Sequence, residues 1–210
     1  MNKNSFYHTL FILHKCTSAI KTLSEFALQL SNQRNPKNEE ILMAVINYQI
    51  LETTSFLEEY HERFNSNTDN DLNKRVTEVK SICKPIIKKL KQWKDLKKFR
   101  NEIIAHPWYS GLEAKLPGNI DYNIPGNMME VTLLSHYLQY AYQIISYEFD
   151  YELNLAIEYA HRNQKARTPP KEKFKDINVV NQRMAKEVHE LCKKFNKNYY
   201  LKIQHYTVQS

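Results

Sequence analysis

The sequence predicts an all-α fold, in the form of an antiparallel bundle of four long helices with a basic, partly helical C-terminal extension. The chain has three glycines, all between residues 111 and 126, so the first 110 residues lack this common helix breaker. Apolar side chains recur at spacings of three and four residues on both sides of that window. Both observations favour long helices over strands.

The first two helices are predicted over residues 5–30 and 39–64. Apolar residues at helical spacing support the first helix, namely Phe6, Leu10, Leu13, Ile20, Leu23, Phe26, Ala27 and Leu30. The polar stretch SNQRNPKN separates the two helices, because Asn35 or Asn38 is a suitable N-cap and Pro36 suits a first helical turn.

The third helix is predicted from residue 72 to residue 105 or 106. It follows the turn-forming stretch NSNTDNDLN, in which Asp69 or Asp71 is a suitable cap. Pro85 lies inside this helix, and its ring removes one backbone hydrogen bond. If the helix bends, we expect the bend at this proline.

After the third helix, residues 107–127 contain all three glycines and three of the seven prolines, which predicts a long loop. A fourth long helix is predicted over residues 128–163. The charged stretch KARTPPKEKFKD then predicts a linker, followed by a moderately amphipathic fifth helix over residues 177–195. The last fifteen residues suit a short strand without an obvious partner. The chain thus divides into a helical bundle, residues 1–163, and a basic extension, residues 164–210.

Positive charge is concentrated in two parts of the chain. The net charge is +7, and residues 161–210 hold 12 Lys and Arg against 4 Asp and Glu. Residues 84–100 form a second basic run, with eight positive side chains against a single acidic one, Asp95. Such clusters suit a polyanionic partner. The alternative is a lysine-rich helix face that is only solvated.

The sequence also argues against several classes of protein. No apolar stretch is long enough for a signal peptide or a bilayer span, so we expect a cytoplasmic protein that makes no use of a membrane. Cys16, Cys83 and Cys192 lie far apart without a CxxC pair, which indicates neither a zinc site nor a disulfide framework. The chain contains no P-loop, nucleophile elbow or dinucleotide fingerprint, and we expect no cofactor.

The stretch KKFRNEIIAHPWYSG, residues 97–111, brings an arginine, an asparagine and a histidine together at the predicted end of the third helix. Trp93, Leu96, Arg100 and Ile103 follow one another at steps of three and four, so Arg100 lies in an apolar stripe. A guanidinium that is partly desolvated needs a carboxylate, a helix-end carbonyl or a bound phosphate as its partner.

Pro107 disfavours helical geometry at His106, which therefore lies at the helix end. The sequence from Arg100 and Asn101 to His106, RNEIIAH, resembles the R-x(4 to 6)-H signature of HEPN domains, which place a polar residue directly after the arginine. HEPN domains are all-α bundles with this motif at the end of the third long helix. The resemblance covers residues 5–163 by architecture and only the motif by wording.

The resemblance implies a metal-independent endoribonuclease that acts as a homodimer, with two copies of the motif facing one cleft. Many relatives are toxins or phage-defence effectors, so an antitoxin or another regulatory partner is implied as well. His106 would move a proton from the ribose 2′-hydroxyl or to the leaving 5′-oxygen. Arg100 would bind the scissile phosphate, and Asn101 would orient the phosphate or the histidine. The product would carry a 2′,3′-cyclic phosphate.

Five further residues near the motif are candidates for RNA binding. Lys94, Lys97 and Lys98 would form an electrostatic track for the strand. Trp108 and Tyr109 would stack on an unpaired base. In some toxin members the motif continues as H-x-Y, with a tyrosine that a partner nucleotidyltransferase modifies. Here the tyrosine follows one place later, which argues against regulation by that route.

Other interpretations of these residues remain open. Arg100 could pair with a carboxylate or cap helix-end carbonyls for stability alone, with His106 favoured by the helix dipole. A relative that has lost catalysis would bind RNA or protein.

A carboxylate-bridged metal bundle is a third possibility. Glu58-x-x-His61 and Glu158-x-x-His161 both have the Glu-x-x-His spacing of di-iron bundles. Such a site also needs inward glutamates from the other two helices, and none is evident in the sequence.

Overall fold

The structure, a computed structural model, describes residues 3–32, 35–65, 70–104, 109–110, 113–114 and 122–162, together with five single residues further on. Nearly all of these residues are helical, which confirms the predicted all-α class. Within the stretch predicted as a loop, strand β1 (Tyr109–Ser110) pairs antiparallel with strand β2 (Glu113–Ala114).

The chain divides into two units, Met1–Gln164 and Lys165–Ser210. In the second unit, single residues within the predicted fifth helix have helical backbone conformation, namely Val179, Gln182, Arg183, Lys186 and Glu190. The rest of that predicted helix and the last fifteen residues lie outside the described residues. The elements that follow all belong to the first unit.

Helices α1 (Lys3–Ser31) and α2 (Pro36–Glu58) begin within three residues of the predicted positions. Helix α2 starts at proline, which has no backbone N–H to leave unsatisfied in a first turn. The predicted second helix was expected to continue to residue 64. Instead a wider π-helical turn, π1 (Glu59–Arg63), follows α2, and the Phe64 N–H donates to the Glu59 carbonyl oxygen at 2.9 Å.

The predicted third helix is not continuous. Helix α3 (Asn70–Leu90) passes through Pro85 without ending, and the chain leaves helical geometry at residues 91–95. The interruption has a tertiary cause, because Asn123 supplies a backbone N–H to the Asp95 carboxylate at 2.9 Å and a side-chain oxygen to the Lys94 N–H at 3.2 Å. The prediction of one helix, bent if anywhere at Pro85, was therefore wrong.

After this interruption the chain forms a short helix, α4 (Leu96–Phe99), and a second π-helical turn, π2 (Arg100–Ile104). Trp93 in the interruption is buried together with Leu96 and Phe99, so the turn packs three large side chains into the core. The stretch RNEIIAH thus begins at the first residue of a π turn, a form that is frequent at functional sites.

The predicted fourth helix is also interrupted. Helix α5 (Met128–Glu148) ends before Phe149, and helix α6 (Asp150–Arg162) follows it. Arg75 from α3 explains the interruption, because its guanidinium donates to the Glu148 carbonyl oxygen and lies 4.6 Å from the centre of the Phe149 ring. The same guanidinium pairs with the Glu152 carboxylate at 2.6 Å.

The core is built mainly where α1 packs against α2, α5 and α6, and where α3 packs against α5. Phe6 of α1 stacks on Phe64 with ring centres 5.8 Å apart and meets Phe149 edge-on at 5.3 Å. This cluster joins α1 to the end of π1 and to the junction between α5 and α6. Among the described cysteines, Cys16 and Cys83 are buried free thiols. No helix in the described ranges is long and apolar enough to cross a bilayer.

Candidate functional site

Arg100 is the centre of the candidate site. Its side chain is 18% exposed, and it forms a bidentate ion pair with Glu58, the last residue of α2. Arg100 Nη1 donates to Glu58 Oε2 at 2.8 Å, and Nη2 donates to Oε1 at 3.1 Å. The pair therefore joins the start of π2 to the residue that precedes π1. Paired N–H donors of this kind hold a guanidinium in one orientation.

Asn101 completes the orientation of the guanidinium. Its side-chain oxygen accepts a hydrogen bond from Arg100 Nε at 3.0 Å, while Asn101 itself is exposed. An arginine carries five N–H donors, and within the described part of the chain Arg100 uses three of them. One N–H on each terminal nitrogen thus makes no bond to a described residue.

Lys97 adds a second cation to the same carboxylate. Its Nζ lies 3.0 Å from Glu58 Oε1, although the lysine side chain is 63% exposed. The hydrogen bonds from Arg100, with a smaller contribution from Lys97, hold the pKa of Glu58 below its ordinary value of 4.5. Glu58 is thus ionised at neutral pH, and two cations surround one anion with a net positive charge.

A cavity of about 280 Å³ is lined by Glu58 and Lys97 of this cluster, whereas Arg100 itself does not line it. Leu57, Leu90, Trp93 and Leu96 form its apolar lining. His61, two glutamates and three lysines also line it, namely Glu58, Glu62, Lys91, Lys94 and Lys97. An apolar floor with an excess of cationic side chains around it can accept a base or sugar together with a phosphate.

The structure places the three predicted lysines differently. Lys94 is exposed and lines this cavity, and Lys97 lines it while it contacts Glu58. Lys98 lies with its Nζ 5.5 Å from the centre of the Tyr122 ring, in a cation–π contact. Tyr122 in turn donates a hydrogen bond to Glu102 at 2.7 Å. Lys94 and Lys97 therefore share a surface, whereas Lys98 contacts the segment that leads to α5.

The side chains of three predicted site residues lie outside the described part of the structure. His106 and Trp108 lie outside the described residues. Tyr109 is described only through its backbone, which pairs in β1. The side chains of Arg100 and Asn101 are thus hydrogen-bonded to each other, and the position of His106 stays a prediction.

The possibility of a metal bundle has little support in this part of the fold. Glu58 is occupied by Arg100 and Lys97, and Glu158 pairs with Arg162 at 3.1 Å. Across the described ranges, no group of three or more His, Cys, Asp or Glu side chains is arranged to hold a metal ion.

Two features of the site were not expected from the sequence. Glu58 was considered only as a metal ligand, although Arg100 was predicted to need a carboxylate, a helix-end carbonyl or a bound phosphate. His61 was likewise considered only as a metal ligand, whereas it lines the cavity. Lysines recur every third residue around Trp93, at Lys91, Lys94 and Lys97. This pattern was the signal in the sequence for a cavity wall that combines an aromatic side chain with cations.

Comparison of the chain with protein-family models, with curated proteins and with solved structures found no significant match in any of the three.

Proposed function

We propose that this protein is a metal-independent endoribonuclease of the HEPN type, which cleaves RNA through attack by the ribose 2′-hydroxyl. The observation that carries the proposal is the geometry of Arg100. A half-buried guanidinium is held by Glu58 and Asn101 at the start of a π turn, and it keeps two N–H donors unused by the described residues. Those donors suit a phosphate group.

In this mechanism the three residues of the motif bind the phosphate, orient it and move protons. Arg100 binds the scissile phosphate and neutralises the negative charge that develops during in-line attack. Asn101 orients the guanidinium or the phosphate. His106 accepts the proton of the 2′-hydroxyl or donates one to the leaving 5′-oxygen, since its ordinary pKa lies near neutrality. The products carry a 2′,3′-cyclic phosphate and a 5′-hydroxyl.

The proposal includes an architecture and a role in the cell. The helices form an antiparallel four-helix bundle with a basic C-terminal extension, and two copies bring their motifs to a shared cleft. The protein acts in the cytoplasm as a toxin or phage-defence effector, under the control of an antitoxin or another regulatory partner.

The surface of α5 supports a homodimer. Its exposed side chains include Met129, Leu133, His136, Tyr140 and Tyr147, at spacings of four, three, four and seven residues. This is the repeat by which two helices pack against each other. Glu130 and Glu148 are the only acidic residues of α5, and the helix has no lysine or arginine. A second copy of α5 would therefore meet little charge repulsion.

The test is cleavage of labelled single-stranded RNA and of tRNA in the presence of EDTA. We expect the wild type to produce cyclic-phosphate ends and Arg100→Ala and His106→Ala each to lose about a hundredfold or more in rate, the scale of a lost acid-base or charge-stabilising group. Arg162→Ala is a matched control, because Arg162 is exposed and contacts Glu158 within its own helix. Circular dichroism and thermal unfolding must show that all variants are folded.

The outcomes separate the candidates. Cleavage by the wild type and by Arg162→Ala, with loss in both motif variants, supports the ribonuclease. Cleavage that continues unchanged in a folded His106→Ala protein would exclude the mechanism. Activity that disappears with EDTA and returns with a divalent metal would exclude a metal-independent reaction.

A non-catalytic helical module that binds RNA or protein is the second candidate. The observation that favours it is the bidentate contact of Glu58, which uses the two terminal nitrogens of Arg100 that a phosphate would also use. In that case the wild type binds RNA or a protein partner without cleaving RNA. The ion pair would then serve only to join α2 to π2.

A further inference from the structure

A second cavity, of about 370 Å³, adjoins the one lined by Glu58 and Lys97, because His61 and Lys91 line both. The other residues that line it are Tyr60, Lys80, Lys84, Ile87 and Lys88. It therefore has four lysines and a histidine, and none of the described residues that line it is acidic. A concave surface lined by one sign of charge concentrates the field on an oppositely charged ligand.

The lysines of the second cavity form one row. Lys80, Lys84, Lys88 and Lys91 follow at steps of four, four and three, which places them along one face of α3 and its end. Like charges at this spacing destabilise a helix by a few tenths of a kcal/mol per pair. For Lys84, Lys88 and Lys91, no carboxylate of a described residue lies within 4.0 Å. Folding gains nothing evident from the charges of these three lysines.

Lys80 is held in place at one end of the row. Its Nζ donates to the Asn65 side-chain oxygen at 2.7 Å and lies 5.4 Å and 5.8 Å from the centres of the Tyr60 and Phe64 rings. Burial lowers the pKa of this lysine from its ordinary value. A cation that is already ordered and partly desolvated loses little entropy when it binds an anion.

His61 lies between the two cavities and lines both. Its ring meets Tyr60 edge-on with centres 5.4 Å apart. The pKa of His61 is lowered first by burial and then by the charges of Lys91 and Lys80, while Glu62 acts in the opposite direction. The nearby lysines therefore repel a proton from the imidazole, as they would attract a phosphate.

We infer that the second cavity binds phosphate groups of single-stranded RNA and extends the RNA path from the Arg100 site along the lysine row of α3. This inference rests on the proposed function for the identity of the polyanion. The apolar side chains, Tyr60 and Ile87, are buried at the floor, and the lysines surround them. This arrangement suits a strand with phosphates outside and sugars or bases inside. A membrane-binding surface would instead project its apolar residues outward.

The test compares two triple variants that change the net charge equally. Lys84→Glu/Lys88→Glu/Lys91→Glu alters the lysine row, and Lys15→Glu/Lys21→Glu/Lys74→Glu alters exposed lysines that line neither cavity. The ligand is a labelled 2′-O-methyl RNA of about 12 nucleotides, which cannot be cut by 2′-hydroxyl attack, and binding is measured by fluorescence anisotropy. We expect the row variant to lose roughly tenfold or more in affinity and the control less than about twofold to threefold.

The possible results divide clearly. Equal losses in the two variants, or unchanged binding by a folded row variant, would overturn the inference. So would binding of the wild type to vesicles with anionic lipids but not to RNA. If wild type binds the RNA through the lysine row and yet cleaves no unmodified RNA, the inference stands and the proposed catalysis fails. If the wild type cleaves RNA and the row variant binds RNA as tightly as the wild type does, the proposed catalysis stands and the inference about the second cavity fails.

Discussion

The ion pair between Glu58 and Arg100 leads to a prediction about stability and pH. Glu58→Gln removes the negative charge that Arg100 and Lys97 share, and we expect the free energy of unfolding at pH 7 to fall by about 1–2 kcal/mol. The pKa of Glu58 is lowered in the folded state. Its stabilising contribution is therefore complete above the ordinary value of 4.5 and is lost as the pH falls through the lower folded-state pKa.

Urea unfolding of the wild type and Glu58→Gln from about pH 7 to about pH 3 measures this contribution. The difference between the two proteins should shrink toward zero at the acidic end. Glu158→Gln is the control, because both members of the Glu158–Arg162 pair are mostly exposed and such pairs contribute little. A difference for Glu58→Gln that does not change with pH would contradict the charge-based explanation.

At the scale of single residues, the sequence predicts that Arg100 needs a partner but does not predict that this partner is Glu58. The position of Arg100 in an apolar stripe indicates that its guanidinium requires a carboxylate, a helix-end carbonyl or a phosphate. Glu58 is 42 residues away, and the turn at residues 91–95 lies between the two in sequence. That turn is hydrogen-bonded to Asn123, a contact that no local pattern predicts.

At the scale of elements, periodicity predicts where helices begin and fails where they are interrupted. The four predicted starts lie within three residues of those of α1, α2, α3 and α5. The two interruptions arise from tertiary contacts, made by Asn123 near Asp95 and by Arg75 near Phe149. Pro85, the strongest local breaker signal, remains inside α3. Long-range hydrogen bonds therefore outweigh the local signal in this fold.

The exposed stripe of α5 predicts an effect on oligomeric state. Leu133→Glu/Tyr140→Glu places two negative charges in the stripe, and we expect a dimer to dissociate at concentrations where the wild type stays associated. Sedimentation velocity over a range of concentrations measures this change. Ile82→Glu is the control, because Ile82 is an exposed apolar residue of α3 outside the stripe. A monomeric wild type, or a double variant that still dimerises, would exclude α5 as the interface.

At the scale of the whole molecule, the amount of positive charge is evident from the sequence, whereas its arrangement is not. The excess in residues 161–210 and the basic run of residues 84–100 both suit a polyanion. The structure separates the second run, because Lys97 pairs with Glu58 and Lys98 contacts Tyr122, while Lys84, Lys88 and Lys91 line cavities. Lysines of this run carry the same charge but therefore differ in how accessible they are to an anionic ligand.

The salt dependence of RNA binding can distinguish these lysines from the remaining charge of the molecule. Each phosphate that a cation neutralises on a single strand contributes about −0.7 to the slope of log K against log salt concentration. If the three lysines of the row each contact one phosphate, Lys84→Glu/Lys88→Glu/Lys91→Glu should make the slope less steep by about 2. The variant of Lys15, Lys21 and Lys74 should keep nearly the wild-type slope.

Anisotropy titrations from about 50 to about 300 mM KCl give these slopes. A net charge of +7 attracts RNA at long range, so both variants should lose some affinity at low salt. Only the row variant should also lose counterion release, because only its lysines would contact phosphates directly. A row variant with weaker binding but an unchanged slope would mean that the lysines act through the shape of the cavity instead of through phosphate contacts.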